Sequence, residues 1–249
     1  MTRHTLTALA LGLTLSSPAA ALDLTQMSVA ESDAFGAQVR AYLLENPEVI
    51  FEAVAVLEQR QEQLAAANDN DLLATHADAI FNDGHSWVGG NPDGDITVVE
   101  FLDYRCGYCR KAFPEVNELV ASDGNIRLII KELPILGEGS VMASRFAIAT
   151  QQVLGADAYK SVHDALMAYS GEVAEPGLRR LAEALDLDAD AILAAMDSDE
   201  VTAVIAANRA LAGPLDISGT PSFVMHNQML RGYVPLDGMQ QIVAEIRAE

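Results

Sequence analysis

The order of apolar and polar residues divides the chain into segments with different predicted structures. Between residues 33 and 66, apolar side chains recur every three or four positions, with one interruption at Asn46-Pro47. Asn can cap a helix and Pro suits its first position, so this dipeptide marks a helix start. The pattern predicts two amphipathic helices whose apolar faces must be buried. Residues 65 to 71, alanines followed by Asn and Asp, are expected to end the second helix or to form a linker.

From residue 78 onward, strand patterns alternate with helical ones. Residues 78 to 87 can hold a short strand, and residues 96 to 102 form a nearly continuous apolar run, typical of a buried strand. A helix to about Val120 follows, and then a second apolar run over residues 126 to 131. Because strand, helix and strand usually form a right-handed crossover, we expect the two runs to be parallel neighbours.

The remainder of the chain is first helical and then returns to strands. Residues 139 to 212 have helical spacing almost throughout, two short apolar runs flank His226 as in a hairpin, and residues 236 to 248 predict a closing helix. The predicted order is β, β, α, β, a helical block, β, β, α. This order indicates the α/β class, preceded by an N-terminal helical extension.

Charge and the N-terminal residues limit the partners and the compartment. The chain has 36 acidic and 15 basic residues, a net charge of −21, which disfavours nucleic acid as a partner. Residues 1 to 21 are typical of a signal peptide, with Arg3, a short apolar run, and small residues at Ala19 and Ala21. We expect cleavage before Leu22 and export to the periplasm, with no membrane segment in the mature chain; a retained anchor is the alternative.

The two cysteines of the chain, Cys106 and Cys109, directly follow the predicted buried strand. A disulfide across so short a loop hardly restricts the unfolded chain, so structural cross-linking is a poor explanation. Cys106 is expected at a helix start, where free N–H groups and the helix dipole stabilise a thiolate. Cys106 would attack a substrate disulfide, and Cys109, more buried, would resolve the mixed disulfide.

Two other uses of the cysteine pair are alternatives to redox exchange. A zinc site needs four ligands, but there are no further cysteines, and the histidines after the predicted signal peptide have no paired spacing: His76, His85, His163 and His226. No metal and no cofactor are therefore expected. Inert thiols or a static disulfide are the second alternative, disfavoured because a cysteine that opens a helix is reactive.

Three stretches of the sequence together resemble the DsbA-like family of thioredoxin-fold oxidoreductases. They are Val99 to Cys109, Pro114, and the distant Gly219-Thr220-Pro221-Ser222-Phe223. The resemblance spans about residues 80 to 249. It implies a thioredoxin fold with a helical insertion at about residues 138 to 213.

The resemblance also implies roles for four residues near the cysteines. Pro221 would be a cis-proline that faces Cys106 and Cys109, and Thr220 would contact the substrate backbone. Gly107 and Tyr108, between the cysteines, would also contact substrate. Independently, a proline just before a strand leaves edge backbone groups free to pair with an extended peptide, although an ordinary trans proline is the alternative.

Glu100 is the acidic residue within the first apolar run, six residues before Cys106, where the family has a buried acid. Burial would raise its pKa, and its carboxyl could then accept the proton of Cys109. Strand alternation could instead place Glu100 at a solvated strand end. Lys131, on the neighbouring strand, is a candidate ion-pair partner.

Two features refine the expected activity and organisation. The Gly107-Tyr108 dipeptide differs from the Pro-His of well-known DsbA oxidases and equals that of the DsbC isomerases. Residues 35 to 63 resemble the N-terminal segment of ScsC-like proteins, a DsbA-like branch associated with copper tolerance, in which such helices form a trimeric stalk. We therefore expect a helical oligomerisation segment at 22–75, acting through residues 33–66, and a thioredoxin-like domain at 76–249. Packing of the helices on their own domain is the alternative.

These expectations combine into an exported thiol-disulfide oxidoreductase. It would act on proteins or peptides with cysteines and exchange electrons with a redox partner protein, with isomerase or reductase action favoured over oxidation. One alternative is a DsbA-type dithiol oxidase. Another is a copper-binding module with both cysteines as Cu(I) ligands, or a chaperone built on the oligomer.

Overall fold

The structure is a computed structural model that describes residues 26 to 248. The predicted signal peptide, residues 1 to 21, and its cleavage site before Leu22 lie outside the described residues. The chain divides into two compact units, Met1–Arg60 and Gln61–Glu249. Within residues 26 to 248, no helix combines the length and the apolar character needed to cross a membrane.

The described part of the first unit contains α1 (Val29–Glu45) and the beginning of α2 (Glu48–Thr75). A capping box starts α1: Glu31 N–H donates to Ser28 Oγ at 3.4 Å, and Ser28 N–H donates to the Glu31 carboxylate at 2.8 Å. The two helices and the break between them are therefore as predicted. No residue of α1 is buried. Large apolar side chains are exposed along both helices: Val29, Phe35, Val39, Tyr42, Leu44, Ile50, Phe51, Val54, Val56, Leu57 and Leu64.

The prediction that residues 65 to 71 end the second helix or form a linker is wrong, because α2 continues to Thr75. Alanine is the best helix former, and two tertiary contacts within the second unit hold the last turns. The Asp69 carboxylate accepts hydrogen bonds from Arg231 at 2.8 and 2.9 Å. Leu73 is buried in an apolar cluster with residues of the central sheet.

A five-stranded sheet forms the centre of the second unit. Its strands are β1 (Trp87–Gly90), β2 (Ile96–Leu102), β3 (Ile126–Glu132), β4 (Ser222–Met225) and β5 (Gln228–Arg231). The order across the sheet is β1-β3-β2-β4-β5, with β2 and β3 parallel and the other pairs antiparallel. The parallel neighbours and the hairpin are confirmed.

The first predicted strand lies at the wrong place. Residues 78 to 87 contain a short helix, α3 (Ala77–Phe81), and β1 begins only at Trp87. Ile80 of α3 is fully buried, so the apolar side chain in this region packs into the core from a helical turn and not from a strand.

Helices cover both faces of the sheet. The crossover helix α4 (Gly107–Asp123) and the C-terminal α10 (Leu236–Ile246) complete the core, and five helices form the insertion between β3 and β4: α5 (Glu138–Leu154), α6 (Ala156–Ala168), α7 (Glu175–Ala184), α8 (Ala189–Ala195) and α9 (Asp199–Ala212). Val98 and Leu102 of β2 face α4 and the insertion, whereas Val99 and Phe101 face a second cluster with Leu73. The predicted α/β class with a helical insertion and an N-terminal helical extension is confirmed.

Candidate active site

Cys106 is the N-cap of α4, at the point where β2 has ended and the crossover helix begins. Its N–H donates to the carbonyl oxygen of Asp103 at 3.0 Å, which forms the turn between the two elements. No side chain caps the free N–H groups of the first helical turn. The helix dipole therefore acts on Cys106 without competition from a capping group. Cys106 itself is buried, with 8% of its surface exposed, whereas the next two residues, Gly107 and Tyr108, are exposed, so the cysteine lies just beneath the surface.

Cys109 lies one helical turn further into α4 and is completely buried. Burial raises the pKa of the Cys109 thiol far above its ordinary value, and the charges of Glu100 and of Cys106 raise it further. A hydrogen bond with the Asp103 backbone and one with Thr220 act in the opposite direction. Both cysteines are free thiols and both are buried, Cys106 with 8% of its surface exposed and Cys109 with none.

The loop before β4 brings Thr220 and Pro221 to the first cysteine, more than a hundred residues away in the chain. The Cys106 Sγ–H donates to the Thr220 carbonyl oxygen at 3.1 Å, and the Thr220–Pro221 peptide bond is cis. This position follows from the sheet, because β4 is antiparallel to β2 and Ser222 pairs with Phe101. The cysteine motif, which follows β2, and the proline loop, which precedes β4, therefore meet at the same end of these two neighbouring strands.

Glu100 is buried, so the alternative of a solvated strand end is excluded. It shares a face of β2 with Val98 and Leu102, the face that α4 covers. Burial raises the pKa of Glu100 to about 8, and the nearby charge of Glu132 contributes in the same direction. Glu100 Oε1 has no hydrogen-bond partner among the described residues. A carboxyl in this state exchanges its proton near neutral pH.

Lys131 does not pair with Glu100, so that expectation is wrong. The register opposes Glu100 to Ile130, and Lys131 therefore points to the other face of the sheet. There its ammonium group contacts the Asp83 carboxylate and lies 3.3 Å from Ser86 Oγ.

Glu132 is a second buried carboxyl on the face of the sheet that carries Glu100, and the sequence analysis did not single it out. Its carboxylate accepts hydrogen bonds from three hydroxyls: Tyr104 at 2.7 Å, Tyr159 at 2.7 Å and Ser144 at 2.8 Å. Burial raises the pKa of Glu132 to about 7, and the three hydrogen bonds oppose that increase. An acidic residue that ends a buried strand was the signal that could have identified it.

His163 completes the polar network around Glu132. Its Nδ1 lies 3.0 Å from the Tyr104 hydroxyl, and burial lowers the pKa of His163 to about 3, so its ring is neutral. Since Tyr104 donates its own hydrogen to Glu132, we assign the Nδ1–H tautomer to His163, donating to Tyr104. The rings of Tyr159 and Phe113 pack against the imidazole. Nothing in the sequence pattern indicated this role.

Asp103 anchors the cysteine motif to the insertion and was also missed. Its buried carboxylate accepts four hydrogen bonds, from Arg105 N (2.7 Å), Ile135 N (2.8 Å), Leu136 N (3.0 Å) and Ser140 Oγ (2.7 Å). The turn that carries Cys106 is thereby fixed to the loop before α5. Within residues 26 to 248, no group of three or more His, Cys, Asp or Glu side chains is arranged to hold a metal ion.

Known proteins share this architecture. The sequence model of the DSBA-like thioredoxin domain matches residues 97–244, and that of the copper resistance protein ScsC N-terminal domain matches residues 31–63. A thioredoxin-like oxidoreductase from Silicibacter pomeroyi is 45% identical with a TM-score of 0.65, over 69% of this chain and 98% of its own. The catalytic domain of Proteus mirabilis ScsC is 27% identical with a TM-score of 0.65, over 72% of this chain and 99% of its own.

Two further likenesses concern localisation and length. A periplasmic thioredoxin-like protein from Salmonella enterica serovar Typhimurium is 26% identical with a TM-score of 0.62, over 70% of this chain and 96% of its own. Among curated proteins, a Na⁺/H⁺ antiporter NhaA of Salinispora tropica is 30% identical over 156 residues, which are 63% of this chain. The chain spans only 24% of the length of that relative.

Proposed function

We propose that this chain, which belongs to the DSBA-like thioredoxin domain family, exchanges disulfides with protein or peptide substrates through Cys106 and Cys109. The observation that carries the proposal is the position of Cys106. It caps a helix next to the exposed Gly107 and Tyr108, its sulfur lies 3.1 Å from the Thr220 carbonyl oxygen, and a second, fully buried thiol follows one turn later. The reaction needs a nucleophile close to the surface and a second thiol within its reach, and the helix start supplies both.

The exchange proceeds in two substitutions at sulfur. The Cys106 thiolate attacks one sulfur of a substrate disulfide, and the other substrate sulfur leaves as a thiolate, which takes up a proton. Cys109 then attacks the Cys106 sulfur, and the second substrate sulfur leaves. The substrate gains two electrons, and the protein is left with a Cys106–Cys109 disulfide. The reverse sequence oxidises a substrate dithiol.

Glu100 acts as the proton acceptor for Cys109 in this proposal. Burial holds Cys109 in its thiol form, yet the second substitution needs a thiolate. The Glu100 charge acts on Cys109, so the two groups interact, and a pKa of about 8 lets Glu100 take up or return a proton near neutral pH. Thr220 and Pro221, beside the Cys106 sulfur, would contact the substrate backbone as it approaches.

Cysteine-to-serine variants test the reaction itself. With Cys109→Ser, we expect a mixed disulfide between Cys106 and a substrate to accumulate, because no resolving thiol is present. With Cys106→Ser, no adduct should form. Mass spectrometry after incubation with scrambled ribonuclease measures both. Turnover of that substrate by the Cys106→Ser variant would refute the assignment.

Isomerase or reductase action, favoured over oxidation, rests on Gly107 and Tyr108. A Cβ atom at Gly107 would meet nothing within 4 Å, and Pro is tolerated at the first helical position, so the double variant Gly107→Pro/Tyr108→His should fold. We expect it to oxidise dithiols faster than the parent and to rearrange scrambled ribonuclease more slowly. Equal activities of parent and variant in both assays would contradict the role of the dipeptide.

A homo-oligomer formed through residues 33–66 is the second part of the proposal. The exposed apolar side chains of α1 and α2 support it, as does the match of residues 31–63 to the ScsC N-terminal domain. We expect light scattering to give an oligomeric molar mass for the parent and a smaller one for Phe51→Glu. Phe51 is 75% exposed, so the substitution places a charge on the apolar surface that would form the contact. Gln59→Glu, an exposed polar site of the same helix, is the control. A monomeric parent would contradict the proposal.

Export to the periplasm is the third part. It is supported by the signal-peptide pattern of residues 1 to 21, by the redox-active pair, which can cycle in an oxidising compartment, and by likeness to a periplasmic thioredoxin-like protein. We expect the mass of the cellular protein to correspond to a chain that begins at Leu22. A chain that retains residues 1 to 21 would contradict cleavage.

A further inference from the structure

A cavity of about 290 Å³ lies directly beside the cysteine motif. One wall is formed by Arg105, Gly107 and Arg110, at the start of α4. The other is formed by residues between α6 and α7: Tyr169, Ser170, Gly171 and Val173. Cys106 does not line the cavity, but Gly107 follows it in the chain, so a molecule in this cavity would lie one residue away from the reactive cysteine. Neither arginine takes part in the two substitutions at sulfur.

The cavity is basic although the chain has a net charge of −21. Both arginines line it and no acidic residue does, although Glu172 lies between the lining residues Gly171 and Val173 in the chain. The Arg105 guanidinium makes no hydrogen bond or ion pair with any residue between 26 and 248. Arg110 uses only Nε, which donates to the Tyr104 carbonyl oxygen at 2.8 Å, and its terminal nitrogens have no partner in the same range. By contrast, Arg231 and Arg247 are occupied by carboxylates.

The shape of the cavity leaves room for a ligand at the cysteine. Because Gly107 has no side chain, the entrance beside Cys106 is open, and the uncapped N–H groups of α4 add partial positive charge there. A guanidinium with free N–H groups binds a carboxylate with paired hydrogen bonds. The site therefore suits a carboxylate that belongs to the same molecule as the reacting sulfur and is separated from it by only a few bonds.

We propose that the cavity lined by Arg105, Arg110 and residues 169–171 binds a carboxylate close to the reacting sulfur of the substrate. Two sources share this chemistry: a small acidic thiol such as glutathione, and an acidic residue beside a substrate cysteine. The inference rests on the proposed thiol-disulfide exchange and names the substrates that it favours.

The reaction with glutathione disulfide balances without a further reagent. The Cys106 thiolate attacks one sulfur, and one glutathione leaves as a thiolate. Cys109 then attacks the Cys106 sulfur, releases the second glutathione, and passes its proton to Glu100. Two electrons move from the protein dithiol to glutathione. In both steps the arginines hold a glutathione carboxylate and take no part in bond making.

Lys111 offers a matched control on the same helix. It follows Arg110 directly and carries the same charge, but its ammonium group lies 4.1 Å from the centre of the Tyr233 ring, and it does not line the cavity. Lys111→Gln removes one positive charge near Cys106 and leaves the cavity intact. A general electrostatic effect would appear in this variant, whereas carboxylate binding would not.

The experiment measures the rate at which the reduced full chain reacts with two small disulfides. Glutathione disulfide is anionic, and hydroxyethyl disulfide is neutral, so the ratio of the two rates isolates recognition of the carboxylate. We expect Arg105→Gln/Arg110→Gln to lower this ratio about tenfold. Lys111→Gln should change it by less than about twofold. Arg105→Gln alone, at an exposed side chain without hydrogen bonds, should lower it in part and is the variant least able to disturb folding.

An equal fall of the ratio in Lys111→Gln would overturn the proposal, since unspecific charge would then explain the effect. An unchanged ratio in the arginine variants would overturn it as well. No reaction of the parent with either disulfide would instead refute the proposed exchange.

Disulfide-linked peptides with Glu or Gln beside the cysteine distinguish the two sources. An arginine-dependent preference for the Glu peptide supports an acidic substrate segment, and one confined to glutathione disulfide supports the small thiol. The absence of both preferences would contradict the cavity's role.

Discussion

Replacing Glu100 by glutamine tests how strongly the core of this protein opposes a charge next to the buried thiol. The pKa of Glu100 is about 8 in the folded chain, against an ordinary value of 4.5. Below pH 4.5, the carboxyl is protonated in both the folded and the unfolded state. Between pH 4.5 and 8 unfolding releases a proton, so the free energy of unfolding falls as the pH rises.

The size of the effect follows from the two pKa values. A pH of 7 lies about 2.5 units above the pKa of Glu100 in the unfolded chain, and each unit corresponds to about 1.36 kcal/mol. Burial of Glu100 therefore lowers the free energy of unfolding at pH 7 by about 3 kcal/mol. Glutamine has the same shape and no charge, and Oε1 of Glu100 has no hydrogen bond that the exchange would remove. We expect Glu100→Gln to be about 3 kcal/mol more stable than the parent at pH 7, and less than about 1 kcal/mol more stable at pH 4.5.

Urea unfolding of the reduced protein between pH 4.5 and 8 measures this difference. Trp87, the one tryptophan of the chain, is buried and stacks on Tyr159, so its fluorescence reports on the second unit. Glu118→Gln, at an exposed position of α4, is the control and should stay within about 0.5 kcal/mol of the parent. A stability difference between parent and Glu100→Gln that is the same at pH 4.5 and pH 7 would refute the reasoning.

Three further predictions concern the residues around the cysteines. Glu132→Gln should lower the pKa of Glu100 while leaving it above 4.5, because a neighbouring charge is removed and burial remains. Carbon-13 NMR of the carboxyl groups measures this pKa, and an unchanged value would exclude an interaction between the charges of Glu100 and Glu132. Asp103→Ala should cost about 3 kcal/mol in urea unfolding, because one buried and three partly buried donors lose their acceptor, and a loss below about 1 kcal/mol would contradict that role. Iodoacetamide at pH 7 should alkylate Cys106 at least about a hundredfold faster than Cys109, whose thiol is buried and has a raised pKa; comparable rates by peptide mass spectrometry would disagree with the structure.

The parts of the fold that the sequence predicts well are those with a repeated local signal. The apolar run of β2 is long enough to identify a buried strand, and the helix after it requires the parallel pairing with β3. The first strand is different, since β1 has only four residues and two of them are glycines. The Trp87 ring occupies the space where a Cβ atom of Gly89 would lie. Such a strand forms because it pairs with β3, and its four residues are too few to show the alternation of apolar and polar side chains that predicts a strand.

The residues of the site, like the strands, can be predicted from the sequence where they are close together in the chain, and cannot where they are far apart. Cys106, Cys109 and Glu100 lie within ten residues of each other, so one motif and one strand are enough to relate them. Glu132 receives its hydrogen bonds from Tyr104, Tyr159 and Ser144, which come from three different segments. The partner of Lys131, Asp83, is 48 residues away in the chain, although the register of the strands would have excluded Glu100. Side chains that meet only after folding leave no spacing in the sequence.

The hydrogen bonds of Glu132 have a consequence for protein engineering and for evolution. Ser144 belongs to α5 and Tyr159 to α6, so the inserted helices supply two of the three donors that satisfy an acid on the sheet. A recombinant chimera that took these helices from another scaffold without matching hydroxyls would bury an unsolvated anion. Sheet and insertion are thus inherited as one unit, and a graft succeeds only when the donors travel with their acceptor.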